Sequence, residues 1–330
     1  MNKGHFLGTL AIGGIALGLG IPAMTYAQSW QPSRPVEVIS STGVGGAQDR
    51  LARTLQAIVQ TGKLAPVPMV VVNKPGGSGA LSELYLNKTP GDGHALLVTS
   101  ALMLASHIMG RASYNYTDMS PIAQLFHEYP VLIVRADSPI KDGKDFIARI
   151  KAAPDSISIG VTVLGTAHHI SVALAAKSAG VDPKRLKMVT FKAGTDALIA
   201  TMGGHIDATV SSASNILPSL ENGTVRAIAI SSPQRLGGAM AKVATWKEIG
   251  IDSVASNFRM IFGPRGLSDA QVAYWEQVLS KVAVSEAWRK QVNENIWVED
   301  FLGSAKTRQE LAREYEKLKG VMTDLGLAKQ

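Results

Sequence analysis

Cysteine is absent from the 330 residues, which excludes both a disulfide framework and lipid attachment through a cysteine. The 33 Lys and Arg residues are scattered. No long basic run occurs and basic residues do not interleave with aromatics, so a nucleic-acid surface is not expected. Apolar runs are short as well. The longest, Phe6 to Ile21, falls below the ~20 residues a membrane-spanning helix needs, and no later stretch is long enough. Internal repeats and low-complexity linkers are also missing.

The amino terminus instead carries the pattern of an export signal. Lys3 and His5 precede the apolar run, and Thr25-Tyr26-Ala27 places small residues at the two positions a signal peptidase reads. Residues 1–27 are expected to be removed, leaving the mature chain free in a bacterial periplasm. The roughly 300 residues that remain suffice for two α/β domains or one large one. A formal net charge of +7 favours anionic solutes.

Along the chain, strand and helix patterns alternate, giving an α/β reading with mostly parallel sheets. Strands are expected at Pro35 to Ile39, Met69 to Val72, His94 to Thr99, Pro121 to Phe126, Val131 to Arg135, Ser156 to Val161, Met188 to Phe191, Ile206 to Ser211, Val225 to Ile230 and Phe258 to Phe262. Helical patterns cover Lys144 to Ala153, His168 to Ala179 and Asp196 to Met202. From Ser268 the chain reads as helical, ending in Thr307 to Leu325 as a surface brace.

Two glycine loops carry the chemistry. In the first, Ser41-Thr42-Gly43-Val44-Gly45-Gly46 follows a strand and precedes a helix marked by Leu51, Leu55, Ile58 and Val59. Unpaired amides and the positive end of the helix dipole meet there, so a small anion can be held without Lys or Arg. The plain alternative is a tight turn that needs glycine for steric reasons. ATP and NAD are not expected: Gly46-Ala47-Gln48 lacks the Lys-Ser/Thr of a phosphate loop, Gln48 stands where a dinucleotide fingerprint needs glycine, and Asn73 replaces the ribose-binding acid. The second loop, Thr162-Val163-Leu164-Gly165-Thr166-Ala167, has the same strand-to-helix setting. Facing each other, the two loops would grip one anion from both sides. His168-His169 does not point to a metal, because adjacent residues diverge on a helix and no partner has ligand spacing. No cofactor is expected.

Several segments together resemble the tripartite tricarboxylate transporter substrate-binding proteins, also called Bordetella uptake gene proteins. They are Pro35 to Ile39 with Gly45, Gly46 and Asp49; Val71 to Gly79; Asp92 to Leu97; Gly165 to His169; Phe191 to Gly194; Gly203 to Asp207; Val225 to Ile230; and Phe258 to Leu267. The resemblance implies a type II periplasmic-binding fold: two α/β lobes with ligand in the cleft, one formed by residues 28–128 and 233–330, the other by 129–232. It implies a monomer that hands a small carboxylate to membrane permease subunits. The proximal ligand carboxylate is then expected at Thr42, Val44, Gly45 and Gly46 on one jaw and Gly165, Thr166, Ala167 and His169 on the other. Ser41-Thr42 stands where many relatives have Pro-Phe, and Thr190-Phe191 where Pro-Tyr is usual.

The distal pocket is expected to involve Ser100, Ser211, Phe191 and Arg259, with Ser212 ending the same strand as Ser211. Arg259 can pair a second carboxylate or form an interlobe or surface ion pair, and Phe191 would stack on aromatic ligands such as terephthalate. Asp49 is expected to anchor loop amides. A periplasmic hydrolase is the contrasting class, but Gly77-Ser78-Gly79 lacks the spacing of a nucleophile elbow. A ligand sensor acting on a membrane kinase shares every feature of the binding reading.

Overall fold

The computed structural model describes residues 30–329, with Met1 and Gly4. The expected cleavage point after Ala27 and the apolar run before it lie outside the described residues. The first sheet has the order β11-β4-β10-β3-β1-β2, formed by β1 (Val36–Ser40), β2 (Met69–Asn73), β3 (Ala95–Ser100), β4 (Ser120–Glu128), β10 (Asn257–Gly263) and β11 (Val298–Gly303). The second has the order β7-β6-β8-β5-β9, from β5 (Pro130–Arg135), β6 (Ser158–Val161), β7 (Lys187–Thr190), β8 (Ala208–Ser212) and β9 (Val225–Ile230). Helices α1 (Ala47–Thr61), α2 (Ala80–Leu86), α3 (Leu102–Ile108), α8 (Asp269–Ala283), α9 (Glu286–Asn295) and α10 (Ser304–Asp324) belong to the first lobe. The second holds α4 (Gly143–Ala152), α5 (Ala167–Ser178), α6 (Gly194–Met202) and α7 (Ala213–Glu221).

Burial explains these elements. All six residues of β3 are buried, as expected for a central strand covered on both faces. In α1, Leu51, Leu55, Ile58 and Val59 form the buried stripe, packed with Val36, Val38 and Trp275 in one core. A separate core under the second sheet includes Phe146, Ile159, Val172 and Trp246.

Three expectations need correction. The sheets are mixed, not mostly parallel: β1 runs parallel to β2 and β3, but β10 is antiparallel to β3 and β4, and β5 to β8 and β9. Strands that pass between lobes enter against the βα direction, which the local pattern does not reveal. The segment after Ser268 also contains β11, a half-exposed edge strand without strict alternation. It is fixed by Trp297, which stacks on Phe126 at 4.0 Å, and by Asp300, which lies 2.7 Å from His127 Nε2. Finally, the chain leaves the second lobe after Ser253, not after Ser232. Thr245 bridges Ile230, Trp246 packs on Phe146, and the Ser253 hydroxyl donates to Ser171 O at 2.6 Å. Helix α10 does more than brace a surface: Met322 is fully buried in a cluster with Ile170 of α5, and Lys177 pairs with Asp324.

Glu83 of α2 is 1% exposed, and neither carboxylate oxygen has a partner among the described residues. Burial disfavours its charged form and pushes its pKa up from 4.5 to about 7. The folded chain keeps a proton that the unfolded chain releases above pH 4.5. Glu83 therefore lowers stability progressively between those values, by up to ~3 kcal/mol. Glu83→Gln, which cannot ionise, should flatten this fall in urea midpoints measured at about pH 5 and pH 8. Parallel pH dependences in the two proteins would mean that Glu83 ionises freely.

Candidate functional site

The two glycine loops are built alike. In the first, Gly45 is left-handed at φ +80°, Gly46 is extended as the N-cap of α1, and the Gly45 N–H donates to Asp49 Oδ2 at 2.9 Å. In the second, Gly165 is left-handed at φ +90°, Thr166 is the extended N-cap of α5, and the Gly165 N–H donates to His169 Nδ1 at 3.1 Å. Each loop thus turns on a glycine whose amide is held by a side chain four residues later. Asp49 Oδ1 also accepts from Asn73 at 2.8 Å, and Arg53 Nε lies 3.0 Å from Oδ2. Burial alone would raise the Asp49 carboxyl, but the hydrogen bonds from Arg53, Asn73 and Gly45 outweigh it and hold the pKa below the usual value. Asp49 anchors the loop, as its place in the sequence suggests. His169 is 6% exposed, and burial pulls its pKa down to about 4, so a neutral ring with an unprotonated Nδ1 receives the glycine amide.

The amides of Gly45 and Gly165, expected to face an anion, are therefore occupied inside their own loops. Among the described residues, amides without acceptors include those of the first helical turns: Ala47 and Gln48 in α1, Ala167 and His168 in α5. These four residues line one interlobe cleft of about 380 Å³. Gly194 and Thr195, which open α6, line it too. Several helix starts thus converge on one space, each with unpaired donors and the positive end of its dipole.

Seven of the expected site residues come together here: Thr42, Gly45, Gly46, Ser100, Thr166, Ala167 and Arg259. Five do not. Val44 is 80% exposed outside the cleft. Gly165 instead borders a separate cavity of about 40 Å³ near α10, where an added Cβ would lie 2.7 Å from Met322 Cε. His169 is engaged with Gly165. Ser211 is buried off the cleft while the next residue of the strand, Ser212, lines it, the alternation of a strand. Phe191 is partly buried and off the lining, which includes no Phe, Tyr or Trp.

The sequence did not mark Gln48, Arg50, Lys192, Asn215 or Asn257 as ligand contacts, yet all of them line the cleft. Gln48 is legible in retrospect as the second residue of α1, and its amide nitrogen lies 3.3 Å from Ser100 Oγ. Arg50 carries no local signal: it donates to Gly45 O at 2.7 Å and to Asn215 Oδ1 of the other lobe at 3.4 Å. The charged residues of the lining are Arg50, Lys192 and Arg259; no carboxylate is among them.

Arg259 lies opposite Ser100 across the β3–β10 pair. Its Nη2 donates to Glu128 Oε2 at 2.7 Å, and both side chains are about 5% exposed. Glu128 Oε1 accepts from Ser214 of α7 at 3.0 Å. Beside them, His168 Nε2 lies 3.3 Å from Ser212 Oγ. Burial takes the His168 pKa down to about 4, Glu128 opposing the shift and Arg259 adding to it, so this ring is neutral at pH 7.

Residues 51–327 match the Tripartite tricarboxylate transporter family receptor. Protein BugT of Bordetella pertussis is 27% identical over 96% of this chain and 97% of its own length. A TctC solute binding protein from Polaromonas superposes with a TM-score of 0.73 at 26% identity, over 89% of this chain and 99% of the other. R. palustris Rpa4515 with adipate superposes at 0.80 with 21% identity, over 90% and 99%. With two α/β lobes, a cleft between them and a family match over most of its length, this chain belongs to the tripartite tricarboxylate transporter receptor family of solute-binding proteins.

Proposed function

We propose that this protein captures a small organic carboxylate in the periplasm, between the starts of α1 and α5, and delivers it to a tripartite tricarboxylate permease. The observation that carries this reading is the pair of matched glycine loops, which present unpaired first-turn amides to one cleft whose lining residues include three cations and no acid. Such a site stabilises a carboxylate by hydrogen bonds and helix dipoles without a counter-ion in contact. The adipate of Rpa4515 supports a carboxylate. The place of His169 supports binding over hydrolysis, since its ring nitrogen holds the Gly165 amide and is not available as a base. Among the described residues no helix is long and apolar enough to cross a membrane.

A thermal-shift screen of the mature chain against succinate, malate, citrate, adipate and terephthalate tests the reading, because a ligand that binds only the folded state raises its melting temperature. Ala47→Pro then tests the anchor. Proline is favoured at the first helical position, and the extended Gly46 (φ −69°, ψ 167°) suits a residue before proline. The substitution removes one N–H and little else. It should weaken every carboxylate about tenfold, the value of a hydrogen bond to a charged group. Unchanged affinity in a folded Ala47→Pro protein would remove α1 from the site.

A further inference from the structure

We infer that the last turns of α10 form a latch between the lobes, which keeps them together without ligand and so sets the affinity for every ligand from outside the cleft. Helix α5 shows why a second partner is needed. Val172, Ala175 and Ala176 belong to the core of the second lobe, which accounts for one buried face. Ile170 and Leu174 belong to a different cluster, shared with Leu318, Val321 and Met322 of α10. Lys177, three residues beyond Leu174, pairs with Asp324. Residues 170, 174 and 177 recur at the spacing of a single helix face. A helix that is apolar on two sides has to be covered on both, and α5 takes its second cover from the other lobe.

The latch reaches the site through Gly165. A Cβ added there would lie 2.7 Å from Met322 Cε and 2.9 Å from Met109 Cε, and Met109 caps the end of α3. Two methionines of the first lobe thus abut the turn from which α5 starts in the second. When the lobes part, the first-turn amides of Ala167 and His168 move away from those of Ala47 and Gln48. Ile170, Leu174, Val321 and Met322 do not line the cleft, so they act on a ligand only through the placement of the lobes. The contact is also incompletely filled. The cavity of about 40 Å³ lies between α5, α10 and the chain from Val254 to Phe258, and a groove of about 280 Å³ separates Leu174 and Lys177 from Val321 and Asp324. Voids forfeit dispersion contacts, which makes this a contact that can be released.

The effect on affinity rests on the reading that the helix starts hold a carboxylate; the effect on the lobes does not, and the two are measured separately. The chain has no cysteine, so Leu84→Cys and Ile199→Cys, at exposed positions in the first and second lobes, place spin labels at those two sites alone. Pulsed EPR on the ligand-free protein should show one dominant distance, and Leu174→Ala should move about nine-tenths of the molecules to another. Calorimetry with succinate, malate and adipate should show each of them weakened by the same factor, about tenfold, because a closed fraction cut to a tenth lowers every affinity alike. Val172→Ala, a truncation in the core of the second lobe, should lower the melting temperature and leave distances and affinities as in the wild type. Unchanged distances in a folded Leu174→Ala protein, losses that differ from one acid to another, or equal effects of Val172→Ala overturn the latch. If none of the three acids binds the wild type, carboxylate capture fails and the EPR distances alone decide for or against the latch.

Discussion

Asp49→Ala is expected to cost about 2–3 kcal/mol of stability and to weaken carboxylate ligands more than tenfold, through loss of buried hydrogen-bond acceptors. Asp49 is 1% exposed and accepts from the Gly45 amide, the Asn73 side chain and Arg53. Alanine leaves those donors without their acceptor, and it releases the left-handed Gly45 whose conformation sets the start of α1. Ala47 and Gln48 would then lose their fixed orientation toward the cleft. Asp49→Asn, which keeps an acceptor oxygen but not the charge, should fall between the two. Urea midpoints and calorimetry on the same samples check this. An Asp49→Ala protein as stable as the wild type, with undiminished affinity, would show that the loop holds its shape without the side chain.

Acid should destabilise the fold between pH 6.5 and pH 4, and His169 is one of the two buried histidines responsible. Its pKa drops from 6.5 to about 4 on folding, so the unfolded chain takes up a proton that the folded chain refuses. The contribution is fully present above pH 6.5 and is lost as pH falls toward 4, at up to ~1.4 kcal/mol per pH unit. His168 is shifted in the same direction by burial and adds to the loss. Glu83 acts oppositely over pH 7 to 4.5, offsetting one of the two histidines. A net fall in stability on acidification is therefore expected. His169→Gln, which retains an acceptor for the Gly165 amide but cannot titrate, should make the fall shallower by about 1 kcal/mol per pH unit. An unchanged slope in urea titrations from about pH 7.5 to pH 4.5 would place the acid sensitivity elsewhere.

Local order is legible in the chain alone. The strand from Val225 to Ile230 has the limits expected of it, both glycine loops join a strand to a helix as read, and the anchoring role of Asp49 follows from its position at a helix start. These features depend on hydrogen bonds and burial within a few residues, and such patterns are written contiguously in the chain. Even the internal capture of Gly45 by Asp49 and of Gly165 by His169 is a local event, repeated at the same spacing.

The remaining features depend on contacts between segments far apart in the chain. Arg259 meets Glu128 131 residues away in sequence, on a neighbouring strand whose register shifts between Arg259 and Met260, and such a shift changes which cross-strand neighbours come within reach. Arg50 meets Asn215 only because the lobes face each other. Which of Ser211 and Ser212 lines the cleft depends on how β8 is turned in its sheet, and a one-residue difference exchanges the faces. The edge strand β11 and the late departure of the chain from the second lobe arise from packing against Phe126 and Phe146, contacts formed only once distant segments have been brought together.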